Sequence, residues 1–188
     1  MKIVEKITQG LLEEGIINHE EKDIVYYGLE NLLSTLLGLG IFLVIGQLFV
    51  SCIHAFAIWF LCYLLRKNAG GYHADTRKEC CLLSTLIILL AYLLCEYTIG
   101  MENVMLGMNV ICSMVIFFYA PVDSNNKRLD KEEIVVYRKR TRIILVIYEV
   151  IYLAAMLGEK TVLCMDISVV VCIVGSLVCL GKISRQEG

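Results

Sequence analysis

A histidine and a cysteine lie seven positions apart in the polar stretch GGYHADTRKECC, residues 70–81. An imidazole can take the proton of a thiol and later protonate a leaving amine, so His73 and Cys80 would supply both reagents of acyl transfer. Gly70 and Gly71 give the backbone the freedom for a tight bend that brings the two side chains together. A histidine and a cysteine in one loop are more often unrelated than catalytic, so their spacing alone makes the pair only a hypothesis.

Cys80 lies where a helix is expected to begin. The N-terminus of a helix carries partial positive charge and free N–H groups that stabilise a thiolate, and Arg77 and Lys78 add to this field. Cys81 is the competing nucleophile, but successive side chains of a helix are about 100° apart, so at most one of the two faces the histidine. The residue that would orient the imidazole is left open among three side chains: Asn68, Asp75 and Glu79.

The composition indicates an integral membrane protein, because 58% of the 188 residues are hydrophobic and only 19% are charged. A helix needs roughly 20 apolar residues to cross a bilayer. The apolar stretch 32–65 is too long for one crossing, and its most polar part, 46–51, divides it into two. We therefore expect an all-α fold, a polytopic membrane protein with six transmembrane helices near residues 31–46, 51–66, 81–99, 103–120, 142–158 and 162–180.

The whole chain, 1–188, is expected to form a single integral membrane domain. Residues 1–30 predict an amphipathic cytoplasmic segment, residues 31–180 the six-helix bundle, and residues 181–188 a cytoplasmic tail. The first helix stops at Gly15, and Asn18 and Glu21 have the spacing of a capping box that opens a second helix. The apolar face of the first helix either packs on the bundle or docks an amphipathic partner.

The distribution of positive charge predicts the orientation in the membrane. Lysine and arginine in short loops stay on the cytoplasmic side, and with six spans and both ends inside, only Lys160 is left outside. Five spans would move only the N-terminal segment outside, so this distribution favours six spans and leaves five as the alternative. The charged stretch from Lys131 to Arg142 is interpreted as a solvated loop, and Pro121 as the end of the fourth span. Because the basic residues are spread over several loops, no nucleic-acid partner is expected.

Other chemistries of membrane proteases find little support in the sequence. An HExxH motif is absent, and the acids within or beside the spans, Glu96, Glu149 and Asp166, occur singly. Most of the nine cysteines fall inside the expected spans, where a thiol packs as a small apolar group. His54 and His19 are interpreted as structural, and we expect neither a metal ion nor a cofactor.

At these residues the chain resembles the AgrB family, the accessory gene regulator B proteins of Gram-positive bacteria. Three matches carry the resemblance: GGYHA at 70–74 followed by Cys80, YAPVD at 119–123 with Asn126-Lys127 behind it, and YGLE at 27–30. The resemblance implies that His73 and Cys80 are the catalytic pair, and it favours Cys80 over Cys81. Many relatives have Asn-Lys-Pro-Leu where this chain has Asn-Lys-Arg-Leu at 126–129.

The resemblance also implies an activity. AgrB-like proteins are membrane cysteine endopeptidases that cleave the C-terminal part of the AgrD autoinducer propeptide, and closure of a lactone or thiolactone ring would proceed through an acyl-enzyme thioester. The implied partners are an AgrD-like propeptide, the lipid bilayer and a second copy of the chain in a homodimer. The implied location is the cell membrane, with both termini and the catalytic loop in the cytoplasm. The alternative is a small membrane transporter or scaffold in which His73 and Cys80 are incidental.

Overall fold

The computed structural model describes residues 2–49, 51–72, 77–97, 100–123 and 129–186. These residues form seven α-helices, which confirms the all-α prediction for the described part of the chain. They are α1 (Lys2–Glu13), α2 (Lys22–Gly46), α3 (Cys52–Ala69), α4 (Arg77–Tyr97), α5 (Glu102–Tyr119), α6 (Lys131–Leu157) and α7 (Thr161–Gln186). The chain divides into two compact units, of which the first ends at Ile41 and the second begins at Phe42.

The first unit contains α1 and most of α2. Helix α1 ends just before Gly15, whose φ of 70° lies in the left-handed region that glycine adopts readily. The backbone N–H of Asn18 donates to the Glu21 carboxylate at 3.0 Å, and α2 begins at the next residue. The predicted stop and the predicted start of the second helix are therefore both confirmed.

The long apolar stretch is divided where its polar part predicted a break. Helix α2 ends at Gly46 and α3 begins at Cys52. The ring of Tyr92 packs where a side chain at position 46 would project, and its hydroxyl donates to the carbonyl of Phe42 at 3.4 Å. Phe49 stacks on the same ring with centroids 5.9 Å apart. Helix α4 thus packs against the end of α2 through one tyrosine.

Helix α7 lies at the centre of the second unit, where α3, α4, α5 and α6 all contact it. A helix that is surrounded by others needs apolar residues on every face, and this explains its near-continuous apolar sequence. Its fully buried side chains include Ile167, Val169, Val170, Val171, Val174 and Val178.

Three of the described helical segments are long and apolar enough to cross a membrane, judged by length and composition: Lys22–Gly46, Glu102–Tyr119 and Thr161–Ser184. Helix α4 contains a shorter apolar segment, Thr85–Leu94. Helices α3 and α6 contain all but one terminal residue of each remaining expected span, 51–66 and 142–158. The chain thus has several helices compatible with a membrane, and six crossings stay a prediction.

The interpretation of residues 131–142 as a loop was wrong, because α6 begins at Lys131. The backbone N–H of Asp130 donates to the Glu133 carboxylate at 3.1 Å and caps the helix start. Glu132 and Glu133 lie in the first turn, where negative charge complements the helix dipole. High charge density indicates a solvated segment, and a solvated segment can still be helical.

Candidate active site

The side chains of the expected catalytic pair, His73 and Cys80, lie outside what the structure describes. His73 belongs to residues 73–76, which lie outside the described residues. Cys80 is the fourth residue of α4, which begins at Arg77, so the helix begins close to Cys80 as expected. The contact between His73 and Cys80 stays a prediction.

The segment that precedes His73 is paired with the segment that follows α5. Gly70 and Val122 form a parallel β-bridge. In this bridge the N–H of Gly71 donates to the carbonyl of Val122 at 3.1 Å, and the N–H of Val122 donates to the carbonyl of Ala69 at 3.0 Å. Each segment donates one hydrogen bond to the other, and this pair of bonds fixes the register between them.

Tyr72, the last described residue before His73, is held from two further directions. Its N–H donates to the carbonyl of Leu177 on α7 at 2.9 Å. Its own carbonyl accepts a hydrogen bond of 2.9 Å from Nη2 of Arg66 on α3. Both backbone groups of Tyr72 are therefore bonded, and this gives the chain a defined direction as it enters the 73–76 segment.

Two glycines make this path possible. Gly70 and Gly71 have φ values of 67° and 119°, which side-chain-bearing residues rarely adopt. A methyl group at Gly70 would collide with the carbonyl oxygen of Val122, and one at Gly71 would lie 2.9 Å from the carbonyl oxygen of Leu177. The two glycines form the bend that the sequence predicts, and they also let the backbone pass closely between Val122 and Leu177.

Helix α5 ends where the paired segment begins. The Ala120–Pro121 peptide bond is cis, and Ala120 and Val122 are buried. The Arg142 guanidinium lies over the ring of Phe117 at 4.3 Å and donates to the Phe117 carbonyl at 3.4 Å. Through Arg142, α6 packs against the last turn of α5. Helix α5 ends at Tyr119, before Pro121, so the fourth expected span ends where the proline predicted.

A family model described as AgrB, accessory gene regulator B, matches residues 4–180. The chain belongs to the AgrB family.

The chain is similar to two AgrB-like proteins of Clostridium perfringens. It is 28% identical over 134 residues to AgrB-like protein 2 of strain 13, and 29% identical over 134 residues to an AgrB-like protein of strain SM101. In both comparisons the match covers 68% of this chain and 63% of the relative. No solved structure matches the chain.

Two of the stretches that carried the AgrB resemblance meet in the structure. The first, at 70–74, is described as far as Tyr72, and the second, at 119–123, is described throughout. Their backbones are joined by the bridge between Gly70 and Val122. The backbone of the second stretch therefore holds the backbone of the first in place. The sequence of the second stretch did not indicate this role.

The three residues considered for orienting the imidazole are placed differently. The side-chain amide of Asn68 donates to the carbonyl of Leu64 at 2.8 Å, within its own helix. Glu79 is exposed on α4, and Asp75 lies outside the described residues. The choice among them stays open.

Two acids that seemed isolated in the sequence have polar partners in the structure. Asp166 on α7 is buried, and its Oδ2 lies 3.0 Å from Nδ1 of His54 on α3. Glu149 on α6 accepts hydrogen bonds from Asn109 and Ser113, both on α5. These partners lie on other helices, so the spacing of residues along the chain did not indicate these contacts. Among the described residues, no group of three histidine, cysteine, aspartate or glutamate side chains is placed to hold a metal ion.

Proposed function

We propose that this chain is a membrane cysteine endopeptidase of cell-density signalling, which cleaves the C-terminal part of an AgrD-like propeptide and promotes thiolactone ring closure. Membership of the AgrB family over residues 4–180 carries the proposal. The anchored Tyr72 supports it, because a histidine that acts on a thiol must follow a backbone of fixed direction. The chain spans 63% of the length of the AgrB-like relatives, so their full activity is part of this proposal.

The first half of the reaction forms an acyl-enzyme. His73 takes the thiol proton of Cys80, and the sulfur attacks the carbonyl carbon of the scissile peptide bond. The imidazolium then gives its proton to the departing amine as the carbon–nitrogen bond breaks. The C-terminal fragment leaves, and the remaining peptide is joined to Cys80 as a thioester.

The second half transfers the acyl group to a thiol of the substrate. A cysteine within the bound peptide loses its proton to His73 and attacks the thioester carbonyl, and the Cys80 sulfur leaves and recovers the proton. One thioester is exchanged for another, so the ring closes without a nucleotide cofactor. Exclusion of water favours this transfer over hydrolysis, and a position at the membrane edge suits that requirement.

The substrate, membrane and dimer are parts of the same proposal. An amphipathic helix of the propeptide would lie on the inner leaflet and present its C-terminal part to the catalytic loop in the membrane plane. The chain would be a multi-pass protein of the cell membrane with both termini in the cytoplasm, in keeping with its basic loops. Two copies would form a homodimer.

Co-expression with an AgrD-like propeptide tests the proposal. The two variants Cys80→Ala and His73→Ala should each abolish the cleaved fragment on an immunoblot of tagged propeptide, while the protein still inserts into the membrane. Cys81→Ala is the matched control and should retain processing, because successive positions of a helix are about 100° apart and at most one of the two cysteines is expected to face His73. Continued cleavage in Cys80→Ala or His73→Ala would instead support a transporter or scaffold.

A further inference from the structure

A cavity opens at the end of the bundle where α5 and α7 begin and α6 ends. Its volume is about 620 Å³, which lies within the range of about 300–1,000 Å³ that is typical of ligand pockets. Helix α5 has 18 residues and is therefore about 27 Å long. Because Val122 follows the other end of this helix, the cavity is remote from the paired segments beside His73.

The deep part of the cavity is apolar. Its walls there include Met105 and Tyr152, which are buried, and Leu106, Cys164 and Met165, which are half-buried. Methionine side chains are flexible and adapt to irregular apolar surfaces. An apolar group that enters is removed from water, and this favours its binding. The floor of the cavity therefore fits a flexible hydrocarbon group.

The rim of the cavity carries three charges. Glu102, Glu159 and Lys160 line it and are exposed, and within the described part of the chain none of them belongs to an ion pair. Glu159 has a φ of 55°, a left-handed conformation that costs free energy in a glutamate. Two carboxylates and one ammonium group are thus available to a ligand above an apolar floor, an arrangement that fits an amphiphile with charges of both signs.

The rim also coincides with the start of two apolar helices. Glu102 begins α5 and Thr161 begins α7, and both helices are long and apolar enough to cross a membrane. The first residues of a crossing helix lie at the level of the lipid headgroups, and the hydrocarbon of the bilayer begins just below them. A membrane phospholipid is the amphiphile that is present at this level.

The charges of the rim discriminate among headgroups. Two carboxylates repel a headgroup that carries only negative charge. A primary ammonium group has three N–H donors for carboxylates, whereas the quaternary ammonium of choline has none. Lys160 can pair with a phosphate, and the N-terminus of α7 directly after it adds partial positive charge. An ethanolamine headgroup carries both the primary ammonium and the phosphate.

We propose that this cavity binds one phospholipid with an ethanolamine headgroup. The ammonium group lies between the carboxylates of Glu102 and Glu159, the phosphate pairs with Lys160, and one acyl chain enters the floor between Met105 and Met165. The lipid contacts α5, α6 and α7, and so it stabilises the folded bundle in proportion to its occupancy. The site requires that α5 and α7 cross a membrane, and it does not depend on the proposed chemistry of His73 and Cys80.

Thermal unfolding of the full-length protein in detergent micelles tests the site. Trp59 is the single tryptophan of the chain, and its fluorescence reports the unfolding of α3 and the helices around it. Phosphatidylethanolamine, phosphatidylcholine and phosphatidylglycerol with identical acyl chains are added separately. Phosphatidylethanolamine should raise the melting temperature by several degrees, to a plateau, at a concentration about tenfold lower than the other two, as expected for hydrogen bonds between charged groups. Equal responses to the three lipids would overturn the proposal.

The headgroup alone separates a lipid site from a site for a soluble ligand. Phosphoethanolamine without acyl chains lacks the hydrocarbon that fills the floor. It should therefore leave the melting temperature unchanged at the concentrations at which the lipid saturates. The same rise from phosphoethanolamine as from the lipid would show that the acyl chain is not bound, and the lipid site would be wrong.

Variants assign the lipid preference to the rim. The double variant Glu102→Gln with Glu159→Gln preserves size and should remove the preference for phosphatidylethanolamine over phosphatidylcholine. The matched control, Glu14→Gln with Glu132→Gln, makes the same change of charge at two exposed glutamates away from the cavity and should keep the preference. An unaltered preference in the double variant of the rim would place the lipid elsewhere.

Direct binding keeps the proposal testable if the double variant of the rim does not fold. Native mass spectrometry of the unaltered protein, incubated with equal amounts of phosphatidylethanolamine and phosphatidylcholine, measures the lipid adducts. One adduct per chain should dominate, with phosphatidylethanolamine favoured about tenfold. Equal adducts of the two lipids would contradict recognition of the ammonium group by the rim.

Discussion

Arg66 connects α3 to the residue that precedes His73. Its Nη2 donates to the carbonyl of Tyr72 at 2.9 Å, and the side chain is half-buried at the end of its helix. A guanidinium is always charged and forms directional hydrogen bonds that are stronger than neutral ones. In the proposed enzyme, Arg66 is therefore a positioning residue, because it directs the backbone that enters the catalytic segment.

The variant Arg66→Ala should lower kcat for propeptide cleavage by about tenfold or more, since a hydrogen bond from a charged group contributes about 1.5–3 kcal/mol. KM should change little, because the bond orients the enzyme's own backbone. Initial rates with purified protein and synthetic propeptide measure both quantities. Lys67→Ala alters the exposed neighbouring cation and should retain the original kcat. An unchanged kcat in Arg66→Ala would show that this hydrogen bond does not position the pair.

Among elements, α7 contributes most to the frame of the site. The carbonyl of Leu177 accepts the Tyr72 N–H, and one turn later the backbone of Gly71 and Tyr72 passes over Gly181. A methyl group at Gly181 would lie 2.7 Å from the Tyr72 nitrogen and 2.8 Å from the carbonyl carbon of Gly71. These distances are shorter than any normal contact, so the segment reaches α7 only because position 181 has no side chain.

Gly181→Ala should therefore displace the segment and reduce processing strongly, although it changes no residue proposed to react. We expect a loss of unfolding free energy of about 1–3 kcal/mol, as is typical of overpacking. The immunoblot measures processing, and Trp59 fluorescence during thermal unfolding measures stability. Lys182→Ala, at the exposed next position, serves as the control. Full processing in Gly181→Ala would mean that contact with α7 is dispensable.

At the level of elements, the sequence predicted most of the helices and failed in one instructive place. The helix stop at Gly15 and the end of α5 before Pro121 followed from the backbone preferences of glycine and proline. The dense charge of residues 131–142 predicts a loop, whereas α6 begins at Lys131. Asp130 and Glu133 had capping-box spacing, which is the local signal that indicates this start.

For the whole molecule, the orientation in the membrane is the main expectation that the described residues leave to experiment. Helix α6 is the best place to test it, because Lys131 begins the helix and Lys160 follows its other end. The rule for positive charge assigns these two residues to opposite sides of the membrane.

The variants Lys131→Cys and Lys160→Cys, made in a chain whose native cysteines are replaced, test this orientation in intact cells. A membrane-impermeant maleimide should label position 160 and should label position 131 only after the membrane is permeabilised. Gel shift of the purified protein measures the labelling. Labelling of position 131 from outside would reverse the proposed orientation and would separate Cys80 from a cytoplasmic substrate.

The site itself was predictable only in part. Spacing and family resemblance make His73 and Cys80 the candidate pair, and that pair stays a prediction. The partners of the preceding segment were not predictable in this way, because Val122 and Leu177 belong to distant parts of the chain. Glu149 was likewise interpreted as an isolated acid, although Asn109 and Ser113 on another helix bond to it.

The sequence by itself determined the all-α class, the division of the long apolar stretch, several helix ends and the candidate pair, because local backbone preference and hydrophobicity depend on neighbouring residues. Only the tertiary structure decided that residues 70–72 lie between Val122 and α7, and that the carboxylate of Glu149 meets an amide and a hydroxyl from α5. Such contacts follow from how the helices pack against each other. Packing depends on the shapes of side chains that are far apart in the chain, and no local pattern in the sequence records it.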